Sequence, residues 1–333
     1  MKMNSKRLLL TIFLATFLSG IAVGQVSFNK VGQSTMNFQL VSISPAASAM
    51  GEAYTAVGTG ADAMFFNPAA MAEMNTRFNV SLDYTQWIAD INYYAGGIAW
   101  NLKNYGAVGL SFMSVDYGTI YGTSLNPLGG YIDNGPVSNV GAYSIGLTYA
   151  KYINTRFLFG GSIRFVGQNL GDNTFNNGVT MKNDATKLAF DLGVKYITSY
   201  HDFRFGMSFR NFSSDITRNV YPEQLPVSFT MGAAIDLMGF VDNEHDKGTA
   251  LTLAADFLHT ENYSERFNLG LEYKFLGMIA LRGGYQTNRD LQSWSAGVGV
   301  NTTVGGNDIQ VNYSYSKMQI FNGVNRLSLV MSF

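Results

Sequence analysis

The feature that most constrains this chain is an alternation of apolar and polar residues, which continues to its last residue. In the final segment, four apolar side chains occupy every second position: Leu327, Leu329, Met331 and Phe333. A period of two residues is typical of a β-strand whose two faces meet different surroundings. About fourteen runs of this kind, each of about ten residues, predict an all-β fold: a closed antiparallel transmembrane β-barrel in an outer membrane.

Composition separates such a barrel from a soluble β-sheet protein, which is the alternative explanation of the alternation. Charged residues make up only 14% of the chain, whereas ordinary soluble domains contain roughly 25%. A water-facing surface needs more charge than this, but a lipid-facing surface does not. The runs also have the length of tilted membrane strands, and Tyr and Phe recur at the ends of the apolar rows. These observations favour the barrel.

The N-terminus predicts export. Residues 1–24 begin with a basic stretch, continue with the apolar stretch Leu8–Leu18 and end in small residues before Gln25. This order is typical of a signal peptide, and the apolar stretch is shorter than the ~20 residues that cross a bilayer. Residues 77–333 are predicted to form the barrel itself.

Residues 25–76, between these two parts, show no alternation and are rich in alanine. Their helix propensity predicts short helices broken at Gly58, Gly60 and Pro68. A segment of small residues can lie close to the wall of a barrel, so we predict an N-terminal plug inside the lumen. The alternative is a periplasmic tail folded against the mouth of the barrel.

The connectors support a barrel with two unlike ends. Short turns such as Leu276–Met278 alternate with long polar loops such as Gly118–Asn139 and Asn169–Asp184. Short periplasmic turns and longer outer loops are typical of outer-membrane barrels. Met238–Gly248 is long where a short turn is expected, which indicates either a slip of register or a loop with a role of its own.

The sequence predicts no catalytic residue, no cofactor and no metal site. Only three histidines occur, and each lies in or beside a connector: His201, His245 and His259. The chain has no cysteine and no Gly-x-Ser-x-Gly motif, and the acidic run 242–248 departs from a calcium-binding loop. A net charge of -1 gives no electrostatic basis for binding nucleic acid. We therefore expect a protein that is not an enzyme.

The charged residues on the predicted inward face carry both signs. They are Asp83, Arg164, Asp191, Lys195, Arg204, Arg210, Asp256, Glu272, Lys274 and Arg282. An unpaired charge in a confined lumen is costly, so we predict that these side chains pair with one another and anchor the plug. A selective ion path is the alternative, although such a path would favour one sign of charge.

The predicted plug and the first hairpin carry a family resemblance. The stretch 49–56 (AMGEAYTA), the pair 62–63 (DA) and the stretch 67–71 (NPAAM) resemble the start of the PorV/PorQ proteins, and their spacing is similar to that of FadL relatives. The stretch 85–91 (TQWIADI) resembles the first hairpin of PorV-type chains. The plug residues of this resemblance are Gly51, Asp62, Asn67 and Pro68. Where such chains often have two adjacent acids, this one has Asp62 alone, so no metal or charge role is predicted there.

The resemblance implies a fourteen-stranded FadL-like barrel, surrounded by outer-membrane lipid, from a Gram-negative, Bacteroidota-like bacterium. PorV proteins are non-enzymatic components of type IX protein secretion, which bind a large translocon barrel and the C-terminal signal domains of cargo proteins. The residues that would form such a partner rim are Trp87, Ile120, Tyr121, Leu125 and Tyr131.

The resemblance to FadL relatives implies a different function, the transport of hydrophobic small molecules that bind between plug and wall. An apolar pocket for them would consist of Met64, Phe65, Phe66, Met71 and Met74. Met suits such a pocket because its side chain adapts to varied ligands. Packing of the plug core is the alternative use of these five residues.

Overall fold

A computed structural model describes residues 32, 34–137, 139–174, 178–217, 222–240, 248–289 and 291–333. The predicted signal peptide lies outside the described residues. The described strands are β1 (Phe78–Gln86), β2 (Asn92–Asn101), β3 (Ala107–Asp116), β4 (Tyr121–Leu125), β5 (Tyr131–Pro136), β6 (Val140–Tyr152), β7 (Phe157–Thr174), β8 (Thr180–Ile197), β9 (Arg204–Phe212), β10 (Ile216–Thr217), β11 (Pro222–Glu223), β12 (Ser228–Asp236), β13 (Ala250–Thr260), β14 (Arg266–Phe275), β15 (Ile279–Gln286), β16 (Gln292–Val304), β17 (Asn307–Met318) and β18 (Val324–Ser332).

Fourteen of these strands form one closed antiparallel barrel, in the order β1, β2, β3, β6, β7, β8, β9 and then β12 to β18. The seam joins β18 to β1, in register from Asn79 opposite Ser332 to Gln86 opposite Asn325. The backbone N–H of Phe333 donates to the carbonyl of Phe78 at 2.9 Å, so the last residue of the chain belongs to the seam. The predicted closed barrel of about fourteen strands is confirmed.

The two faces of each strand carry different residues, as the alternation predicts. On β1, the outward Leu82 and Tyr84 are exposed, whereas the inward Ser81, Asp83 and Thr85 are buried. Large apolar side chains on the outer face suit contact with lipid, and small or polar side chains fill the inner face. The core of the molecule is therefore the interior of the barrel, where buried polar side chains lie beside buried apolar clusters.

Among the described residues, helices occur only as short pieces. One α-helix, α1 (Pro45–Ala49), and 3-10 helices at Asn37–Leu40, Asp62–Phe65 and Pro68–Glu73 precede the barrel, and two further 3-10 turns occupy Lys103–Tyr105 and Met238–Phe240. The helices are interrupted next to Pro68, as expected: one ends at Phe65 and the next begins at Pro68. Pro68 is the first residue of a helix, where its missing N–H costs nothing. Within the described parts of the chain, no helix is long and apolar enough to cross a membrane.

Two connectors differ from the expectation of plain loops. Most of 169–184 is strand, because β7 and β8 continue to Thr174 and from Thr180, and 118–139 contains the hairpin β4–β5. At Met238–Gly248 the register does not slip, since β12 and β13 pair without interruption. Residues 241–247 of that connector lie outside the described residues.

Candidate functional site in the barrel lumen

Residues 34–76, here called the lumen segment, run between the two ends of the barrel. Ser34 forms a parallel bridge with Gln224, at the end that carries the long loops (the loop end). The carbonyl of Met74 accepts a hydrogen bond of 2.9 Å from Asn101 Nδ2, at the end that carries the short turns (the turn end). The lumen segment therefore contacts the inner wall from the loop end to the turn end.

Gly51 lies directly against the backbone of β15. Its φ of +62° is in the left-handed region, and a Cβ there would lie 2.8 Å from the backbone nitrogen of Tyr285. A Cβ on the facing Gly284 would lie 1.9 Å from the backbone nitrogen of Gly51. The Gly51 carbonyl accepts a hydrogen bond of 3.0 Å from Gln286 Nε2. Glycine at 51 and 284 thus lets two backbones approach closely.

Asn67 joins the lumen segment to the opposite part of the wall. Its Oδ1 caps the helix that Pro68 begins, by accepting a hydrogen bond from the N–H of Ala69 at 3.2 Å. Its Nδ2 donates to the carbonyls of Thr55 at 3.1 Å and of Val194, on β8, at 3.0 Å. Asn67 therefore fixes one turn of the lumen segment and attaches it to the wall at once.

Charged side chains of the wall hold the lumen segment. One oxygen of Asp256 accepts hydrogen bonds from the backbone N–H groups of Tyr54 and Thr55, at 3.1 Å and 3.0 Å. Lys195 pairs with Glu73 and donates to the carbonyl of Gly58 at 3.2 Å. These contacts agree with the expectation that inward charges anchor the N-terminal segment.

Other inward charges pair within the wall. Arg164 donates twice to Asp191, at 2.6 Å and 2.8 Å, and Arg282 donates to Glu272 at 2.7 Å. Both pairs join neighbouring strands: Arg282 lies directly opposite Glu272, and Arg164 lies diagonally across from Asp191. In these two pairs both signs of charge are neutralised locally, which argues against an ion path of one sign along this part of the wall.

Asp62, which is also one of the predicted plug residues, begins the helix Asp62–Phe65 and is buried. Its Oδ2 accepts a hydrogen bond of 2.8 Å from Ser44 Oγ. Burial raises the pKa of the Asp62 carboxyl to about 6, although the hydrogen bond from Ser44 opposes the shift.

A cavity of about 60 Å³ separates part of the lumen segment from the wall. Its apolar lining includes Met64, Phe65 and Phe66 of the predicted pocket, together with Met113 and Leu258 of the wall. Its polar lining includes Arg164, Asp191 and Arg210. The other two predicted residues, Met71 and Met74, do not line the cavity; they pack with Ala99, Ala107 and Ala150 in a cluster to which Met64 also belongs.

The wall beside this cavity carries an irregularity that the sequence does not indicate. The register of β8 and β9 shifts between Phe190 and Leu192. Asn211 adopts φ +66°, and its backbone N–H donates to the Asp191 carboxylate at 2.8 Å. A side chain thus takes the place of a backbone acceptor in the sheet, as at a β-bulge.

A second concavity, here called the outer cleft, lies on the outward face of β7, β8 and β9. Its volume is about 640 Å³, and its lining includes Phe165, Phe190 and Phe212. Phe165 directly follows the cavity residue Arg164 in sequence, and Phe190 directly precedes the cavity residue Asp191. The cavity and the outer cleft are therefore separated by a single layer of strand.

The predicted rim residues fall into two groups. Ile120, Tyr121, Leu125 and Tyr131 are exposed, on or beside the hairpin β4–β5 at the loop end. Trp87 packs inward instead: its ring meets Tyr93 edge-on at 6.4 Å, and the Arg326 guanidinium lies 5.4 Å from its centre. The structure does not bring Trp87 together with the other four.

No protein-family model and no curated protein matches the chain. Among solved structures, a FadL homologue of Pseudomonas aeruginosa is 13% identical over 87% of this chain and 98% of its own, with a TM-score of 0.53. The toluene transporter TodX of Pseudomonas putida is 13% identical over 86% of this chain and 96% of its own, with a TM-score of 0.56. At this identity the likeness concerns the fold, which is that of FadL-like outer-membrane barrels.

Proposed function

We propose that this protein is a non-enzymatic outer-membrane barrel that passes small hydrophobic molecules across the outer membrane. The observation that carries the proposal is the cavity between the lumen segment and the wall, which Met64, Phe65 and Phe66 line. Two aromatic rings and a thioether offer adaptable apolar contacts to a ligand. The likeness of the fold to a toluene transporter supports the same use of the lumen here.

The size of the cavity sets a condition for entry. A cavity of roughly 150 Å³ holds benzene, whereas this one measures about 60 Å³. A molecule with an aromatic ring therefore enters only if a side chain of the lining moves. The ring of Phe66 packs edge-on against Tyr54 at 5.4 Å, and Arg210 bonds the carbonyl of Phe65. Rotation of the Phe65 ring leaves these contacts in place, so we expect Phe65 to admit the ligand.

The outer cleft supports a route through the wall for such molecules. Apolar molecules concentrate in lipid, and the outer cleft presents three phenylalanine rings to it. At the bulge, Asp191 lines the cavity and the preceding residue, Phe190, lines the outer cleft. Exchange between lipid and lumen at the bulge would keep the ligand in apolar surroundings for most of its path.

Uptake of radiolabelled toluene by cells that express the protein tests this function. Phe65→Glu places a charge in the cavity, and we expect uptake to fall by about tenfold, as a cost near 1.4 kcal/mol implies. Met74→Leu is the matched control, because Met74 is buried outside the cavity and Leu conserves its volume. Uptake that stays equal in Phe65→Glu and wild type, at equal amounts of folded barrel, would contradict the proposal.

A second candidate function is the binding of proteins in type IX secretion, which the PorV/PorQ resemblance implies. The observation that favours it is the hairpin β4–β5, where Leu125, Leu128 and Tyr131 are 82%, 96% and 73% exposed. Adjacent exposed apolar side chains on a loop are typical of an interaction surface.

Affinity purification of the tagged protein from its native outer membrane tests the second candidate. We expect wild type to recover a very large barrel or secreted proteins with a shared C-terminal domain. Changing Leu125, Leu128 and Tyr131 together to Ser should abolish this recovery, while barrel assembly stays intact. Wild type that recovers neither kind of protein would argue against a secretion role.

A further inference from the structure

Two acids that lie 21 residues apart in sequence are placed side by side in the lumen. Asp62 belongs to the lumen segment, and Asp83 is an inward residue of β1. The lumen segment is attached to β1 on both sides of Asp83. On one side the Ala61 N–H donates to Asn79 Oδ1 at 2.8 Å, and on the other side Thr85 Oγ1 donates to a carbonyl of the lumen segment at 3.3 Å. The carbonyl that Thr85 reaches is that of Ile43, and the next residue, Ser44, donates to Asp62 at 2.8 Å, so Asp62 and Asp83 are close enough for their charges to act on one another.

Three buried oxygen atoms at this place have no hydrogen-bond partner: Asp62 Oδ1, Asp83 Oδ2 and Ser81 Oγ. The three residues are only 8%, 6% and 0% exposed. Ser81 lies two residues before Asp83 on the same face of β1, so its hydroxyl and the Asp83 carboxylate are neighbours. Buried oxygen atoms are normally satisfied, and two of these three belong to carboxylates, whose burial without a partner costs most.

No cationic side chain neutralises this pair within the described parts of the chain. Arg282 is the cation that acts on Asp62, but its guanidinium donates to Glu272 and Asn312. Two buried carboxylates without a partner repel one another in a medium of low dielectric constant. A single shared proton would leave one negative charge, whereas a divalent cation neutralises both carboxylates.

We propose that Asp62, Asp83 and Ser81 form a binding site for a hard divalent cation of the calcium class, with water completing its coordination shell. Carboxylate and hydroxyl oxygens are the donors that such cations prefer. One carboxylate comes from the lumen segment and the other from the wall, so the bound cation fastens the segment to β1. The inference is independent of the proposed transport, because the site lies outside the lining of the cavity.

The donor set also predicts the strength of binding. Among the described residues, no group of three or more His, Asp or Glu side chains could hold a metal. A site with two acids relies on water for most of its ligands. It also carries less negative charge than the calcium sites of sensor proteins. We expect dissociation constants of about 10⁻⁴–10⁻³ M for Ca²⁺, in the range of extracellular calcium modules.

Terbium luminescence on the purified, chelator-treated barrel in detergent tests the site. Tb³⁺ replaces Ca²⁺ at oxygen sites, and Tyr54, whose hydroxyl interacts electrostatically with Asp62, can sensitise its emission. We expect one Tb³⁺ per barrel, displaced by Ca²⁺. Asp83→Asn and Asp62→Asn should each weaken Ca²⁺ binding by at least about tenfold. The matched control is Asp308→Asn, which removes an exposed acid outside the site and should leave binding unchanged.

Each outcome decides the proposal. Wild type that binds neither Tb³⁺ nor up to about 10 mM Ca²⁺ overturns it, and the pair then holds water or a proton. Binding that both lumen variants retain also overturns it, because the ion then lies elsewhere. Heat-modified mobility on a gel shows that each variant is a folded barrel. If both variants fail to fold, the stoichiometry in wild type and a Ca²⁺-dependent protection of residues 34–76 from protease still decide the question.

Discussion

The barrel wall and the lumen segment are specified by the sequence in different ways. In the wall the alternation of outward apolar and inward small or polar residues is repeated on fourteen strands. Each outward apolar residue, such as Leu82, is therefore one of many with the same role. In the lumen segment no rule repeats, and each position depends on one particular partner, as the Gly51 carbonyl does on Gln286. We therefore expect single substitutions to be tolerated on the outward face of the wall and to be costly wherever the lumen segment rests on it.

Gly284→Val gives the largest expected contrast between the two regions. Its first side-chain carbon would overlap the backbone of Gly51, so the lumen segment cannot take its place without moving. We expect a loss of about 3 kcal/mol in the free energy of unfolding, at the upper end of overpacking effects. Urea titration and protease sensitivity of residues 34–76 measure it.

The neighbouring glycine provides the control for that substitution. A Cβ at Gly283, which faces the other side of β15, would meet no atom within 4 Å. Gly283→Val should therefore leave both stability and protease sensitivity close to those of wild type. An equal loss in both variants would mean that the strand itself, not the contact with the lumen segment, requires glycine.

Asp256→Ala is expected to have the next largest effect. It removes the acceptor of two backbone N–H groups, the part-buried one of Tyr54 and the buried one of Thr55. Hydrogen bonds to a charged group contribute about 1.5–3 kcal/mol, and we expect a loss in this range. Asp256→Asn keeps one acceptor oxygen and should recover part of the loss. A loss that is equal in both variants would show that the charge matters rather than the hydrogen bonds.

Asn67→Ala should lower the free energy of unfolding by less, about 1–2 kcal/mol. It removes a helix cap and two hydrogen bonds to carbonyls. Asn67→Asp separates the two contributions, since it keeps the cap and loses both donors. Thermal unfolding of the three proteins measures them. If Asn67→Asp is as stable as wild type, the bonds to Thr55 and Val194 add nothing to the attachment of the lumen segment.

The same contrast explains what the sequence could predict. The closed barrel and its seam followed from alternation, because lipid and lumen place opposite demands on successive side chains. The prediction was wrong for 169–184, most of which is strand. There β7 and β8 are polar on both faces, so a period of two leaves no mark in the sequence.

Contacts inside the lumen were harder to predict, because they depend on which residues the closed barrel brings together. Inward charges could be identified from their face of the strand, and Asp256 does hold the lumen segment. The neighbourhood of Asp62 and Asp83 could not be predicted, since neither residue belongs to a motif with the other. The bulge at Asn211 depends on a left-handed backbone that local sequence does not require. The inward turn of Trp87 likewise depends on Tyr93 and Arg326.

The last prediction concerns the orientation of the barrel in the membrane, and its two substitutions should have the smallest effect on stability. Asn37 is exposed near the loop end, and Asn75 is exposed near the turn end. Because long loops face outward in such barrels, Asn37→Cys should react with an impermeant maleimide on intact cells. Asn75→Cys should react only after the outer membrane is permeabilised. The chain has no cysteine of its own, so the maleimide labels this protein only at the introduced cysteine. The reverse pattern would place the short turns outside, and equal labelling of both positions on intact cells would mean that the lumen segment does not separate the two ends of the barrel.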